Sequence, residues 1–490
     1  MKSVSSKISE STEVTEVTEV TGASEDTGGS EVTEITVVNE ASECTEDIIV
    51  NDPKFLSSRK KWLILFITTF SRMLTPMTNT RILYPALIQL REEFDISEIT
   101  VNSLISVSLI FKGIASIVWA AYSDRFATRR KVYLLSCLVF IIPTILCSIA
   151  ERIWVLMILC AIQVCGCSGM YSISAGIISD IYCPKERGGA YRIFYLAYWF
   201  SNFIGTLSGV YIIQYLNWQW IFRILAIYGG FIFPFVILFV PETFCQSTLT
   251  SQSKASQNRF NPIAPLKLLG YPNVTLVVIY VSFVSSILTI QNLSVPQNFS
   301  GRIYKLPPSS IGLLFLASAV GYAIGSLVGG KYSDFVLQRA RKKGESVYPE
   351  MRIKSATVGV LIIPCSYLAY GWLLDHNFDI YTLMILWFFG ALGSLITFNS
   401  LSTYLVDVCP GFSASVVALV NCIRLMISGI NAIVSSLLEN AIGTGWFFTV
   451  ISLTCFIFTF LLVIVYFKGR QWQKNFFNGD SKRWTISRNL

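Results

Sequence analysis

The chain has 490 residues, of which 53% are hydrophobic and only 14% are charged. Since a soluble protein carries about 25% charged residues, this composition excludes an ordinary soluble enzyme or nucleic-acid-binding protein. Apolar runs of about 20 residues recur between residues 62 and 467, and each is long enough to cross the hydrocarbon core of a bilayer. The composition therefore indicates a polytopic helical membrane protein.

The first 52 residues differ in composition from the rest. They hold 13 acidic residues against two lysines, a net charge of −11, and include the repeat TEVTEVTEVT. Such polar, low-complexity sequence has too few apolar side chains to form a core. We expect residues 1–55 to form a disordered acidic cytoplasmic tail, and we expect no signal peptide before the first span.

Twelve apolar runs follow the tail, and each predicts a membrane-spanning helix. They divide into six-helix bundles at 56–240 and 273–468, joined by a cytoplasmic linker at 241–272 and followed by a cytoplasmic tail at 469–490. The fifth run, with Trp199, Ser201 and Asn202, is the least apolar. The predicted spans are 62–88, 101–122, 131–150, 155–178, 190–213, 220–240, 273–296, 310–333, 353–375, 381–405, 414–438 and 445–468.

The loops between the predicted spans alternate in charge. The segments 123–131, 183–192 and 334–354 are rich in arginine and lysine, whereas the segment 89–100 is acidic. Because short basic loops stay on the cytoplasmic side, we expect both termini to be cytoplasmic. The plasma membrane is the expected location, and a spore-forming or vacuolar membrane is the alternative.

Three ordered pairs of motifs indicate an internal repeat. The tripeptide Tyr-Ser-Asp occurs at 122–124 and again at 332–334, 210 residues later. Asp180 and Asp407 end two spans 227 residues apart, and Trp218 and Trp446 precede two spans 228 residues apart. The nearly constant offset predicts two six-helix halves in parallel repeat.

The repeated aspartates lie at the ends of spans, beside basic loops. There they can pair with loop charges and with neighbouring helix ends, and such pairs can hold one conformation and break in another. The alternative is that they only anchor the loops at the level of the headgroups. The candidate conformational-latch residues are Asp124, Arg125, Arg129, Arg130, Asp180, Glu186, Arg187, Asp334 and Asp407.

Several segments resemble the major facilitator superfamily, and in particular its fungal drug:proton antiporters with twelve spans, in the quinidine-resistance and dityrosine-exporter branch. They are YSDRFATRRKVYLLS from residue 122, SAGIISDIYCPKERGGAY from residue 174 and FNSLSTYLVDVCPGFSASVVALVNCIRLMISG from residue 398. YPEMRI at 348–353 and GTGWFFT at 443–449 also match. The resemblance spans roughly residues 60–470 and implies the major-facilitator fold: an all-α integral membrane protein with twelve helices in two six-helix pseudo-repeats.

The chain departs from this family at positions associated with proton coupling. Cys160 stands where the family has an arginine, although Gln163 is kept. Asn202 and Thr206 stand where the antiporter motif of the fifth span has prolines. These departures do not affect the fold that the resemblance implies. They weaken the implied proton antiport, because the arginine of the fourth span and the proline motif of the fifth span are both altered.

Ionisable residues in the middle of a span are costly and point to function. Arg81, Lys112 and Arg424 lie there, and no aspartate or glutamate does. Since guanidinium groups suit carboxylates and phosphates, we expect an anionic or zwitterionic amphipathic solute. The alternative for Arg81 and Arg424 is a structural pairing, and the alternative for Lys112 is a pairing with the polar end of a neighbouring helix. Together with polar residues of the apolar runs, the cavity candidates are Thr78, Arg81, Lys112, Gln163, Asn202, Gln291, Asn292, Asn421 and Arg424.

We therefore expect a secondary active transporter that exports a small amphipathic organic solute, a drug, organic anion or dityrosine-like molecule, by alternating access with proton coupling. The alternatives are a transport-dead sensor or scaffold, and an uncoupled or uptake carrier of an organic anion. The sequence contains no Gly-x-x-x-x-Gly-Lys-Ser/Thr loop, the motif that would indicate an ATP-driven pump. The spacing of the cysteines indicates no metal site. We expect no enzyme activity, no cofactor and no nucleic acid. The expected partners of this monomer are the solute, protons and lipid.

Overall fold

A computed structural model describes residues 56–78, 82–83, 86–126, 128–182, 184–243, 264–300, 304–342, 348–408 and 413–486. The predicted acidic tail lies outside these residues. The described part is almost entirely helical, with a short 3₁₀ helix at Ala264–Gly270 inside the predicted linker. The α-helices are α1 (Ser58–Pro76), α2 (Leu87–Glu93), α3 (Glu98–Arg125), α4 (Arg130–Cys147), α5 (Ile153–Ile181), α6 (Pro184–Tyr215), α7 (Gln219–Phe239), α8 (Pro272–Ser300), α9 (Pro308–Lys342), α10 (Met351–Asp375), α11 (Ile380–Val408), α12 (Ser413–Ile442) and α13 (Thr444–Ile486).

The first predicted span is not one continuous helix. Its first part, α1, ends at Pro76, and the short α2 begins only at Leu87. Pro76 has no backbone N–H to donate to the carbonyl four residues earlier. The next residues still bond to the end of α1, because the backbone N–H of Met77 and the hydroxyl of Thr78 both donate to the carbonyl of Leu74, the hydroxyl at 2.6 Å. Non-helical backbone at membrane depth is tolerated where it is buried in protein or lines a cavity. The predicted helix over 62–88 is therefore corrected to two helices with a break between them.

Ten helices of the described part are long and apolar enough to cross a membrane. Two predicted spans are not among these ten. One is the interrupted α1–α2 segment, whose first turn carries Arg59, Lys60 and Lys61, and the other is α6, which contains the run that composition marks as the least apolar. The architecture agrees with twelve spans and confirms the predicted all-α membrane fold.

The outer surface of the helices is apolar. Large hydrophobic side chains such as Ile158, Ile227, Leu238 and Phe460 are each more than 60% exposed. In water such a surface would favour aggregation, whereas in a bilayer it faces lipid tails. The exposure pattern thus independently supports a membrane location for these helices.

Helices of the first half of the chain, α1–α7, pack directly on helices of the second half, α8–α13. The most extensive contact between the halves joins α3 to α12. A Cβ atom added at Gly113 would lie 2.9 Å from the carbonyl oxygen of Cys422, and one at Gly429 would lie 2.8 Å from that of Ser106. Only glycine permits this approach, so these two positions let the halves meet along α3 and α12.

The two tryptophans of the internal repeat have different environments. Trp218 is fully buried and donates from its indole nitrogen to a carboxylate oxygen of Glu93 at 2.7 Å. Trp446 is 60% exposed. The two tryptophans therefore occupy corresponding positions in the sequence repeat but have different contacts in the structure.

The last helix is longer than the sequence pattern predicts. The apolar run ends near residue 468, but α13 continues to Ile486. Most of the predicted tail at 469–490 is thus helical in the described part. Hydrophobicity marks only the portion of a helix that lies within the membrane, and it does not mark a polar continuation.

Candidate functional site

A cavity of about 560 Å³ lies between the two halves of the chain. It is bordered by α1, α3, α5 and α6 of the first half and by α8, α9, α11 and α12 of the second. It extends from Arg72 and Arg424 to Arg352 at the start of α10 and to Val416 at the start of α12. We call the end of the bundle that carries Arg352 the basic end, because the loops rich in arginine and lysine lie there.

The opposite end of the bundle is closed. Gly429 contacts α3 near Ser106, in the part of α3 that is far from the basic end. At the start of α9, a Cβ atom added at Gly312 would overlap the side chain of Val210 on α6. The halves are therefore in contact at one end and separated by the cavity toward the other, which is the geometry of a carrier open to one side.

Arg72 on α1 is the most enclosed cation of the cavity. It is 3% exposed, and its guanidinium lies over the rings of Phe194, Tyr171 and Tyr198, at 4.1, 4.2 and 5.0 Å from their centroids. A desolvated cation–π contact contributes about 2 kcal/mol. The three rings thus stabilise a positive charge inside the protein and orient its plane.

A second cation, Arg424, lies on α12 and is held by side chains of the second half. Its Nη1 donates to the hydroxyl of Ser285 at 3.0 Å, and its Nη2 donates to Oδ1 of Asn421 at 3.2 Å. The amide nitrogen of Asn421 in turn donates to the hydroxyl of Tyr171 at 3.5 Å. Since Tyr171 also contacts Arg72, this chain of polar side chains connects α1 and α5 with α12 and α8 across the cavity.

The third cation, Lys112, lies on α3 and is 9% exposed. Its Nζ donates to the carbonyl oxygen of Thr75 at 3.3 Å. Thr75 is the penultimate residue of α1, so its carbonyl lies at the helix break and faces the cavity. The break in the first span thereby provides a hydrogen-bond acceptor for the buried amine.

The charges of the cavity are unbalanced. Among the described residues that line it, the cations are Arg72, Lys112, Arg424 and Arg352, and none is an aspartate or glutamate. Arg352 forms an ion pair with Asp407 at the basic end. The other three cations surround the deeper part of the cavity, where a negatively charged ligand would be attracted.

Five of the nine predicted cavity residues line this cavity: Lys112, Asn202, Asn292, Asn421 and Arg424. Three others do not line it: Thr78, Gln163 and Gln291. Gln163 donates to the hydroxyl of Thr144 at 2.8 Å within the first half, and Thr78 lies 3.7 Å from the sulfur of Cys167. Arg81 lies outside the described residues.

Arg72 and Tyr171 were not among the residues predicted from the sequence. Arg72 lies ten residues inside the first predicted span, so the rule that pointed to Arg81, a charge in mid-span, also applies to it. Tyr171 carries no such signal, because a tyrosine in an apolar helix is more often packing than binding. Only the tertiary contacts bring it between two arginines.

Cys160 occupies the position where the family resemblance places an arginine. The residue is buried, and its Sγ lies 3.9 Å from the Sγ of Cys147 on α4. It does not line the cavity. The substitution thus leaves a pair of thiols packed inside the first half, where the family resemblance implies a charge.

The predicted latch residues form the same arrangement in both halves. In the first half, Nε of Arg129 donates to Asp180 at 3.1 Å, and its Nη1 donates to the hydroxyl of Ser123 at 2.9 Å. In the second half, Arg352 donates to Asp407 at 2.5 Å and to Ser333 at 3.1 Å.

The two serines of this arrangement are those of the repeated Tyr-Ser-Asp tripeptides. Arg352, the counterpart of Arg129, was not among the predicted latch residues. Each described pair joins helices of one half, so neither pair bridges the two halves directly.

The remaining latch candidates have other contacts or cannot be placed. Arg130 donates to the carbonyl of Ile237 at 2.6 Å, and its backbone N–H donates to Glu242. Arg125 is exposed and lies over the ring of Phe126. The side chains of the other four candidates lie outside the described residues: Asp124, Glu186, Arg187 and Asp334.

A bundle of membrane helices in two packed halves, with a charged cavity between them, is the structure of a solute carrier. The family profile described as Major Facilitator Superfamily matches residues 62–335, more than half of the chain. The chain belongs to the major facilitator superfamily and is a secondary transporter. This finding confirms the family predicted from the sequence motifs.

Curated relatives come from fungi. An MFS-type transporter of Talaromyces stipitatus is 28% identical over 85% of this chain and 84% of its own length. The multidrug transporter AQR1 of Candida glabrata is 26% identical, covering 86% and 78%, and the MFS antiporter QDR3 of Candida albicans is 22% identical, covering 86% and 79%. These relatives support the predicted fungal drug-transporter branch.

Solved structures show the same fold. A bacterial homologue of the human lysosomal transporter Spinster, in an inward-facing and unoccupied conformation, has a TM-score of 0.63 at 16% identity, covering 86% of this chain and 99% of its own. A D-xylose–proton symporter has a TM-score of 0.64 at 12% identity, covering 81% and 97%. At these identities the likeness concerns the fold alone.

Proposed function

We propose that the protein carries a small amphipathic organic anion across the membrane by alternating access. The observation that supports this proposal is a set of three cations in a cavity whose described lining contains no carboxylate: Arg72 and Lys112 are buried, and Arg424 is half-buried. A cationic solute would be repelled there, whereas a carboxylate or sulfonate would balance the charge.

A guanidinium nitrogen among the cavity residues makes no hydrogen bond to the described residues. Nε of Arg424 is buried with no hydrogen-bond partner among the described residues. Its guanidinium lies 5.3 Å from the centroid of the Phe398 ring, so this planar cation lies beside an aromatic side chain of the cavity lining. A planar anion that stacks on aromatic rings and accepts hydrogen bonds from a guanidinium fits this environment.

Two observations bear on the direction of transport, and they favour different directions. Export with proton exchange is supported by the names of relatives, which include multidrug transporters and an antiporter. Uptake of the anion, with or without a proton, is the second candidate. The excess of positive charge in the cavity favours it, because attraction between an anion and protonated groups links their binding positively.

We extend the proposal to topology. The basic loops would face the cytoplasm, so that both termini are cytoplasmic and the cavity opens to the cytoplasm. The proposed domains are the bundles at 56–240 and 273–468 with the linker at 241–272, and the proposed protein is a monomer in the plasma membrane. In this conformation its solute would enter from the side of Arg352.

The test is transport by the purified chain in proteoliposomes, with and without a pH gradient. We expect movement of an aromatic carboxylate such as 2-naphthoate and little movement of a quinidine-like cation. Arg424→Ala should weaken the apparent affinity for the carboxylate about 10- to 100-fold, the loss of one charge-assisted hydrogen bond. Arg223→Ala, which removes an exposed arginine of α7 outside the cavity, is the matched control.

Three outcomes would contradict the proposal. Transport of the cation, or equal loss of both solutes in Arg424→Ala, would show that the cavity does not select for negative charge. Absence of binding and transport of both solutes by folded protein would favour a sensor that retains the fold. A thermal unfolding curve for each variant distinguishes these results from failure to fold.

A further inference from the structure

The ammonium group of Lys112 has unused hydrogen-bonding capacity inside the cavity. A protonated lysine has three N–H donors, and among the described residues the carbonyl of Thr75 is the acceptor that its Nζ reaches. The side chain is buried, and the atoms around it belong to the lining of the cavity. Oxygen atoms of an anionic solute are suitable acceptors for the remaining N–H groups.

Charged and titratable groups from each helix packed on this part of α3 surround Lys112. Arg72 belongs to α1, Cys167 and Tyr171 belong to α5, and Arg424 belongs to α12. None of these groups is a carboxylate. Among the described residues, the charged neighbours of Lys112 are therefore cations, and an anion bound beside it would reverse the local balance.

Lysine differs from the two arginines in one decisive property. An arginine side chain keeps its proton at any pH that a cell reaches, whereas a buried lysine can release its proton when desolvation and like charges act on it. Of the three cations in the deeper cavity, Lys112 is thus the one whose side-chain type can exchange a proton. A bound anion attracts the proton of that amine, and by reciprocity the proton strengthens the binding of the anion.

We propose that Lys112 is the residue at which proton binding and anion binding are linked, so that the anion binds to the protonated amine and both move in the same direction. This inference rests on the proposed function. Exchange of an anion for a proton would require the anion to expel the proton, which opposes their attraction. The geometry therefore favours proton-linked uptake over proton-driven export.

Equilibrium binding to the purified full-length protein tests the linkage. The probe is naphthalene-2-sulfonate, because its charge is constant over the range from about pH 5 to about pH 10, so a pH effect must come from the protein. We expect tighter binding as the pH falls. Where Lys112 titrates, the dissociation constant should change by at most about tenfold per pH unit, the slope for one linked proton.

Two variants separate charge from titration. In Lys112→Arg the charge is permanent, so binding should stay near its low-pH strength at every pH. In Lys112→Gln binding should be weak and independent of pH. Lys331→Arg, at an exposed lysine of α9 outside the cavity, is the matched control and should retain the pH dependence of the unaltered chain.

Proton uptake gives an independent readout. Titration calorimetry in two buffers of different ionisation enthalpy should detect proton uptake on binding in the unaltered chain and none in Lys112→Arg. Proton release on binding, or pH dependence that persists in Lys112→Arg, would overturn the linkage while leaving the anion carrier intact. If folded protein binds neither naphthalene-2-sulfonate nor 2-naphthoate at any pH, the proposed function itself fails, and this inference fails with it.

Discussion

The guanidinium of Arg72 lies among three aromatic rings, and this environment sets its chemistry. Phe194 and Tyr198 come from α6 and Tyr171 comes from α5, so the contacts join three helices of the first half. Tyr171 has a second role, because its hydroxyl accepts a hydrogen bond from Asn421 of the second half. One side chain thus touches a cation with its ring and the other half of the protein with its hydroxyl.

These two roles of Tyr171 are separable by substitution. Tyr171→Phe keeps the ring and should weaken anion binding by no more than about 5-fold, the loss of one long hydrogen bond. Tyr171→Ala also removes a cation–π contact of about 2 kcal/mol and should weaken binding about 30-fold. Binding of 2-naphthoate measured for both variants, with Tyr381→Ala as a control at an exposed tyrosine, checks this prediction. Equal effects of the two variants would contradict it.

At the scale of helices, the contact between α3 and α12 closes one end of the cavity. Gly113 and Gly429 bring the two helices together, and a larger side chain at either position meets backbone or Cβ atoms. Because these helices belong to different halves, the contact must open if the cavity is to become accessible from that side. Its strength therefore influences the equilibrium between the two conformations.

Gly429→Leu should shift that equilibrium toward opening at the closed end. Overpacking costs about 1–3 kcal/mol, enough to change the ratio of conformations by up to about 100-fold. The measurement is labelling of Ser106→Cys by a membrane-impermeant maleimide, in a background without other reactive cysteines. Labelling from the side of the closed end should increase. Gly230→Leu, where an added Cβ meets no atom within 4 Å, should leave the labelling unchanged.

The two arginine–aspartate pairs at the basic end stabilise adjacent helices within each half. Arg129 connects the loop before α4 to α5 and α3, and Arg352 connects α10 to α11 and α9. A double-mutant cycle on Arg129 and Asp180 should give a coupling free energy of about 0.5–3 kcal/mol in thermal unfolding. The cycle on Arg352 and Asp407 should give a smaller value, because the side chain of Asp407 is 37% exposed and solvent screens the pair. Additive effects in both cycles would show that the pairs do not contribute to stability.

At the scale of the whole molecule, the uneven charge of the loops should determine orientation. We expect tags at the N- and C-termini to be protected from protease in intact cells and cleaved after permeabilisation. A tag inserted in the acidic segment 89–100 should show the reverse behaviour. Accessibility of either terminus in intact cells would contradict the proposed topology and would also reverse the side to which the cavity opens.

The sequence predicted the architecture better than it predicted the cavity. Long apolar runs and paired motifs are local signals, and they were enough for the all-α membrane fold and for the family, both of which are confirmed. These local signals identified Lys112 and Arg424 as cavity candidates, because a charged residue within an apolar run is recognisable in the sequence. They did not distinguish Asn292, which lines the cavity, from its neighbour Gln291, which does not.

Composition and repeat therefore determined by themselves that this chain is a helical membrane protein built from two related halves. The reason is that the bilayer requires every span to satisfy its own backbone, so each span is readable from its own residues. Tertiary structure decided which polar groups share a cavity, because that depends on how helices distant in sequence rotate and pack against one another. Arg72 reaches Tyr171, and Lys112 reaches the carbonyl of Thr75, only through that packing and through the break in the first span.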